Sequence, residues 1–270
     1  MSYNCPLCQL PLQLSERTWS CANNHRFDCA KEGYVNLLPV QKKRSKDPGD
    51  NKEMMLARRE FLTQGYYQHL SDRVNELARQ YAAGASAGLD IGCGEGYYSH
   101  RLHRVLNEHH SFTLHGVDIS KSALKYASKR YKDIDFCVAS SFEMPFANGS
   151  FDFMLRIYAP SLDKELRRVA KEAGILITVS AGPMHHFMLK ELIYDNPKLH
   201  IDSPSAIEGF ELIHGENLVS ELILSKSNDI KHFLDMTPYS WKLTAEQKQT
   251  LIEQGISCQL DFKIEVFKAI

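Results

Sequence analysis

No stretch of this chain is apolar for long enough to cross a bilayer, so no membrane partner is expected. The opening residues, Met1-Ser2-Tyr3-Asn4-Cys5-Pro6, lack the basic-then-apolar layout of a secretion signal, which makes the cytoplasm the expected compartment. Net charge is almost absent: 32 Lys and Arg stand against 33 Asp and Glu, leaving −1, and the pI is about 6.9. A chain this neutral is no general polyanion binder, and a DNA partner is not expected. Any RNA contact needs a local basic patch. No internal repeat or low-complexity tract is visible. A hydrophobic share of 43% over 270 residues suits one large folded domain with a small one beside it.

Residues 1–35 are themselves short of aliphatic side chains and cannot bury enough area to fold alone. They are rich in cysteine instead. Three of the chain's seven cysteines fall within the first 21 residues, as Cys5-x2-Cys8, twelve residues, then Cys21-x3-His25. Disulfides are not expected in a reducing compartment. Paired ligands a few residues apart form the two halves of a tetrahedral zinc site, and metal bonds then replace the missing core. The plainer reading is a set of free thiols. Cys29, four residues after His25, competes for the fourth place; His25 is favoured because Cys21-x3-His25 closes in one tight turn. Four protein ligands imply a structural metal with no open position.

Residues 41–52 are charged, contain Pro-Gly, and read as an exposed linker. From Glu53 to Tyr81 apolar residues recur at helical spacing, with a break at Gly65. Strands are then expected at Ala87–Ile91, Thr113–Val117, Phe136–Ala139, Phe151–Ile157 and Gly174–Val179. Helices are expected at Tyr98–Leu106, Lys121–Tyr131, Leu162–Val169 and Met184–Tyr194. Two more β-rich runs, Leu218–Leu224 and Cys258–Phe267, lie in the tail with helices beside them. Such alternation predicts an α/β fold with a mostly parallel, Rossmann-like sheet.

The densest signal is Leu89-Asp90-Ile91-Gly92-Cys93-Gly94-Glu95-Gly96-Tyr97-Tyr98: a strand, a glycine turn, then a helix. A dinucleotide site needs G-x-G-x-x-G/A. Its third place holds Tyr97 counting from Gly92, and Ser99 counting from Gly94. The alternative spacing, acidic-x-G-x-G-x-G, is met by Asp90, Gly92, Gly94 and Gly96, and it resembles motif I of class I S-adenosylmethionine (SAM) methyltransferases. Asp118 ends the next apolar run and is placed to accept from a ribose diol; the plainer role is capping the following helix. Ala139-Ser140-Ser141-Phe142-Glu143-Met144-Pro145-Phe146 looks like the adenine-side loop of those enzymes, and Phe151-Asp152-Phe153-Met154-Leu155 like their next strand.

Further blocks narrow the resemblance. Lys31-Glu32-Gly33-Tyr34-Val35-Asn36-Leu37-Leu38-Pro39-Val40, then Asp47-Pro48-Gly49-Asp50 and Arg58-Arg59-Glu60-Phe61-Leu62, resemble the RlmA group of 23S rRNA guanine-N1 methyltransferases over essentially the whole chain. The resemblance implies a zinc ribbon at 1–35, a basic linker and helical cover at 36–82, and a class I methyltransferase domain at 83–270. It implies SAM as methyl donor, a homodimer, and one guanine in a hairpin loop of 23S rRNA as target. Carried over by position, the zinc ligands are Cys5, Cys8, Cys21 and His25. The cofactor contacts are Tyr67, Glu95, Gly96 and His185, beside Asp90, Gly92, Gly94 and the ribose acceptor Asp118. Tyr67 otherwise reads as a packing residue of an amphipathic helix, and His186 competes with His185.

Guanine N1 carries a proton and lies on the pairing edge, so the base must be unpaired or swung out and the proton must leave. Arg156-Ile157-Tyr158-Ala159-Pro160 follows the strand whose end usually meets substrate: Tyr158 suits base stacking, and Arg156 suits guanine O6 or a phosphate. Both also read as residues that only shape the strand end. No residue is identified for the N1 proton; Asp152 reads as structural. Basic residues gather at Lys42, Lys43, Arg44 and Lys46, and again at Lys121, Lys125, Lys129, Arg130 and Lys132. A small-molecule methyltransferase with a structural zinc site, or a zinc-ribbon RNA-binding module that only senses SAM, are the other readings. Removing residues 1–35 separates the first from an RNA enzyme: the former should keep its activity and the latter lose it.

Overall fold

A computed structural model describes residues 3–42, 51–108, 110–200 and 206–270. The Asp47–Asp50 block and the basic residues Lys43, Arg44 and Lys46 lie outside them. The chain begins with a three-stranded antiparallel sheet, β1 (Gln13–Ser15), β2 (Thr18–Ser20) and β3 (Arg26–Asp28), followed by the short strand β4 (Val35–Asn36). Helices α1 (Lys52–Thr63) and α2 (Gln68–Tyr81) come next. Asn51 caps α1 by accepting from the Met54 amide, and Gly65, at φ +85°, turns the chain between the two helices as the sequence suggests.

Strands and helices then alternate: β5 (Ala87–Ile91), α3 (Tyr97–Leu106), β6 (Thr113–Asp118), α4 (Lys121–Arg130), β7 (Asp135–Val138), β8 (Phe151–Ile157), α5 (Asp163–Val169), β9 (Ala170–Ala181) and α6 (Phe187–Ile193). The tail adds β10 (Phe210–Leu224), α7 (Ser227–Asp235), α8 (Ala245–Gln254) and β11 (Ile256–Ala269). The expected elements are present; the last three strands run longer than expected, and α6 begins three residues later than Met184. Antiparallel pairing explains the extra length, since β10 and β11 extend each other from Phe210↔Ala269 to Leu224↔Ile256.

Eight strands form one sheet in the order β10-β11-β9-β8-β5-β6-β7-β4. Pairing is parallel from β4 through β9, and antiparallel only where β11 enters between β9 and β10. Chain order reverses between β5 and β8, so the loops after these strands diverge and leave a crevice at their carboxyl ends. One face of the sheet is covered by α1, α2, α3, α4 and α7, where Phe61 stacks on Tyr66 at 4.9 Å and meets Phe233 at 5.4 Å. No helix among the described residues is long and apolar enough to cross a membrane.

The zinc-ligand segment is built into the opposite face. Tyr3, Cys5, Leu12 and Cys21 belong to one buried cluster with Leu89, Val117 and Phe151 of the central sheet and Phe146 of the loop before β8. The Tyr3 ring meets Trp19 at 4.9 Å, Phe146 at 5.4 Å and His115 at 5.7 Å. The Asn4 amide donates to the Pro145 carbonyl, and β4 pairs in parallel with β7 through Val35↔Cys137. The sequence gives no sign of β4 as part of the large sheet. Removing residues 1–35 would therefore strip Tyr3, Leu12 and Val35 from a shared core, and loss of activity after that deletion would not by itself report RNA recognition.

Phe146 is buried between Tyr3, His115 and Phe151. Phe146→Ala is expected to lower the unfolding free energy by about 3–5 kcal/mol. In a Trp241→Phe background, Trp19 fluorescence and far-UV circular dichroism should report one shared urea transition; two separated transitions would show that ribbon and sheet unfold independently.

Candidate functional site

Four side chains of the amino-terminal segment converge. The ligand atoms of Cys5, Cys8, Cys21 and His25 all lie within 4.8 Å of one another. Cys5 Sγ is 3.4 Å from His25 Nδ1, Cys21 Sγ is 3.5 Å from the same nitrogen, and Cys8 Sγ is 3.6 Å from Cys21 Sγ. A tetrahedron drawn with Zn–S and Zn–N bond lengths has edges of roughly 3.4–3.8 Å. Two tight turns present the donors. Gln9 donates to the Cys5 carbonyl in one, and in the other Cys21 donates to the His25 carbonyl while Asn24 donates back to Cys21. Cys29 stands outside this group; its backbone bridges to Val35 and its amide donates to Arg17 in the ribbon. The donor set fits a closed structural zinc site, with His25 rather than Cys29 completing it.

The glycine loop sits at the head of the crevice. Gly92, Gly94 and Gly96 have φ of +71°, +57° and +86°. At Gly92 a Cβ would stand 2.4 Å from the Ala159 Cβ, so the loop after β5 and the loop after β8 touch. Asp90, at the end of β5, is buried and accepts from the Ser99 hydroxyl of α3 at 2.6 Å. Burial, and to a lesser degree the charge of Asp118, push its pKa up to about 7. Asp118, at the end of β6, accepts from the Gly94 amide at 2.9 Å with one carboxylate oxygen and from the Ser120 amide at 2.7 Å with the other. The helix cap is Ser120, which accepts from Ala123, so Asp118 belongs to the glycine loop. Glu95 is buried, and neither of its oxygens has a hydrogen-bond partner; the Arg130 guanidinium lies 3.7 Å away. Burial raises its pKa despite that neighbour. A glycine cradle beside a carboxylate with unused acceptors fits a polar, cationic cofactor such as SAM.

Tyr67 and His185 lie in the same region. Tyr67 is buried, N-terminal to α2, and its hydroxyl is 2.9 Å from His186 Nε2. The rings of His185 and His186 are 3.8 Å apart. His185 Nε2 is 3.3 Å from the Tyr158 hydroxyl, and its Nδ1 accepts from the Asp261 amide at 3.1 Å. The two histidines thus divide the work: His186 braces the cover helix, and His185 faces Tyr158. Arg156 donates to the Ser161 hydroxyl at 2.7 Å, which holds it along the loop after β8. Asp152 accepts from the Ser86 and Ala87 amides and pairs with Lys171, in keeping with a structural role.

Other residues matter that the sequence did not single out. The Met55 Cε lies 3.8 Å from where a Gly94 side chain would start, which brings α1 over the glycine loop. Asp261 of β11 accepts from the Met184 amide and the Asn217 side chain, and occupies the space of a Gly182 side chain, 2.1 Å away. Gly182-Pro183 ahead of His185 is the only sequence mark of this close approach. Of the second basic run, Lys132 donates to the Glu32 and Ser128 carbonyls and Arg130 faces Glu95, so both act within the fold.

Comparison with known families agrees with both halves of this site. A family model described as "RlmA, N-terminal" matches residues 3–46, and one described as "Methyltransferase domain" matches residues 84–237. The chain is 36% identical over 193 residues to the "23S rRNA (guanine(748)-N(1))-methyltransferase" of Streptomyces fradiae, a match covering 70% of this chain and 65% of that protein. It is 30% identical over 273 residues to the protein of Bacillus subtilis (strain 168) named "Putative 23S rRNA (guanine-N(1)-)-methyltransferase YxjB", covering 98% of this chain and 95% of that one.

Two measurements check the site. Purified protein should carry about one zinc per chain. Cys21→Ser should abolish that zinc and lower the thermal midpoint of the whole chain, not of the ribbon alone. For Asp90, the folded pKa lies above the unfolded one, so the folded cofactor-free protein holds a proton that the unfolded chain releases. Its contribution is complete below about pH 4 and is lost as pH rises through about 7. Asp90→Asn should remove that downward slope from the stability of the cofactor-free protein, as read by urea unfolding.

Proposed function

This chain belongs to the RlmA family of 23S rRNA guanine-N1 methyltransferases, and from that premise we propose that it methylates N1 of one guanine in a hairpin loop of 23S rRNA. The observation that carries this reading is the fusion of an RlmA-type ribbon into the same core as an intact glycine-loop crevice. We take residues 1–35 as the zinc ribbon, 36–82 as basic linker and cover, and 83–270 as the methyltransferase domain.

SAM, when bound, would supply an activated methyl group on a cationic sulfur. The protein's part is to bind, align and keep water out. The backbone of Gly92, Gly94 and Gly96 lets the cofactor lie close to the chain. Asp118, at the carboxyl end of β6 and held by the Gly94 and Ser120 amides, is the acceptor we assign to a ribose diol. Asp90 steadies the turn through Ser99, and Glu95 offers unused acceptors at the start of α3. Tyr67 closes the crevice from the cover segment, and His185 borders its far wall. Cys5, Cys8, Cys21 and His25 hold zinc and so keep the ribbon seated.

Arg156 and Tyr158 take the substrate side of the crevice. An unpaired loop guanine reaches it without the cost of breaking a pair. Lys42, paired with Glu143, is the first residue of the basic run that we assign to phosphate contact. A homodimer and a cytoplasmic location, where the ribosome is assembled, complete the proposal.

Primer extension across 23S rRNA tests it, because N1-methylguanine cannot pair and halts reverse transcription. Cells lacking the gene should lose one stop in a hairpin loop, and the intact gene should restore it while Asp118→Ala should not. A stop pattern unchanged by deletion would rule out the rRNA assignment.

A further inference from the structure

Tyr158 stands in an unusual backbone conformation, at φ +54°, directly after β8. Such a conformation is strained in a bulky residue and persists only where the surroundings hold it. Here the Tyr158 amide donates to the Val179 carbonyl, and the neighbouring Ala159 packs against Gly92. The side chain is thereby set beside the glycine loop, with the residue 48% exposed and its hydroxyl turned towards His185.

The direction of that hydrogen bond follows from the other ring nitrogen. His185 Nδ1 receives the Asp261 amide proton, so Nδ1 is bare. Burial lowers the His185 pKa to about 3, so the ring is neutral and its single proton is on Nε2. Nε2–H therefore donates to the Tyr158 oxygen, and the tyrosine keeps its own O–H to give elsewhere. The support beneath is firm. Asp261 is pinned by the Met184 amide and by Asn217, and Gly182 is required for it to come so close. Burial also raises the Tyr158 pKa, so the group is a neutral donor and not a base.

Guanine presents O6 beside N1. When N1 loses its proton, negative charge spreads to O6. Building on the methyltransferase reading above, we infer that the Tyr158 hydroxyl, oriented by His185, donates a hydrogen bond to O6 of the target guanine and stabilises the charge that develops there. Tyr158 is then a catalytic residue acting through its O–H at the edge of the base rather than by stacking, and His185 is a positioning residue. The N1 proton leaves to solvent, the N1 lone pair forms the bond to the methyl carbon, and the C–S pair returns to sulfur. The products are 1-methylguanine, S-adenosylhomocysteine and a proton. The same arrangement rejects adenine, whose 6-amino group would set donor against donor.

The titratable groups facing Tyr158 are His185 from the β9–α6 connection, Tyr98 from α3, Tyr67 from the cover, Tyr239 from the turn after α7, and Asp261 from β11. The test is the pH dependence of single-turnover methylation of a 23S hairpin oligonucleotide at saturating SAM. The wild-type rate should rise with pH to a plateau as N1 deprotonates in the complex. Tyr158→Phe should move the half-point of that rise up by about one unit, with roughly tenfold slower reaction below it and convergence above. SAM affinity by calorimetry should stay within about twofold. His185→Leu should shift the half-point in the same direction, and His185→Gln, which retains an N–H donor, should return it towards wild type. A uniform loss of rate at every pH, or no change in the half-point, would overturn the inference while leaving the methyltransferase reading intact. No methylation of the hairpin by the wild-type protein would instead overturn the reading on which it rests.

Discussion

The crevice depends on how closely two loops approach. The turn after β5 and the turn after β8 meet at Gly92 and Ala159, with no room for even one methyl group between them. That contact fixes the positions of the glycine amides, and through the strained backbone next to Ala159 it fixes Tyr158, the residue we propose for the substrate side. A side chain at residue 92 would force the two strand ends apart and misplace both halves of the site together. The glycine loop and the loop carrying Tyr158 are thus set by a single steric constraint in the sheet, at the place where its strand order turns back.

Around this point the fold uses its charges sparingly. Arg73 is held by Glu216 and Glu76, Arg168 by Glu165, and Lys171 by Asp152. The Arg73 pairing lowers the Glu216 pKa to about 2, so this link between α2 and β10 persists well into acid. The chain is nearly neutral because its 32 basic residues are matched by 33 acidic ones, and these pairs tie some of them to the fold. The contrast is Glu95, buried with both oxygens unused. A carboxylate left so costs stability unless something else occupies its acceptors.

Much of this was legible in the sequence because it is local. Cys5-x2-Cys8 and Cys21-x3-His25 each specify one tight turn, and Asp90 to Gly96 specify strand, turn and helix within a few residues. Alternating apolar runs placed the central strands nearly to the residue. What escaped is long-range. Nothing near Val35 shows that it pairs with Cys137, a hundred residues on. The choice between His185 and His186 turns on Tyr67, Tyr158 and Asp261, all distant in sequence. Spacing favoured His25 over Cys29, and the path of the ribbon gives the reason, since it carries the Cys29 thiol away from the other three.

The pairing of β4 with β7 bears on how the protein avoids unwanted strand pairing. A sheet edge presents unpaired amides and carbonyls that invite another chain to add to it. Here β7 is covered by a strand that follows the ribbon, and the ribbon in turn has little to hold it except its ligand cluster and the shared face around Tyr3. Metal supply therefore governs whether this flank of the large sheet is closed. Newly made chains short of zinc would expose a strand edge beside apolar surface, and self-association would compete with folding before any question of catalysis arose.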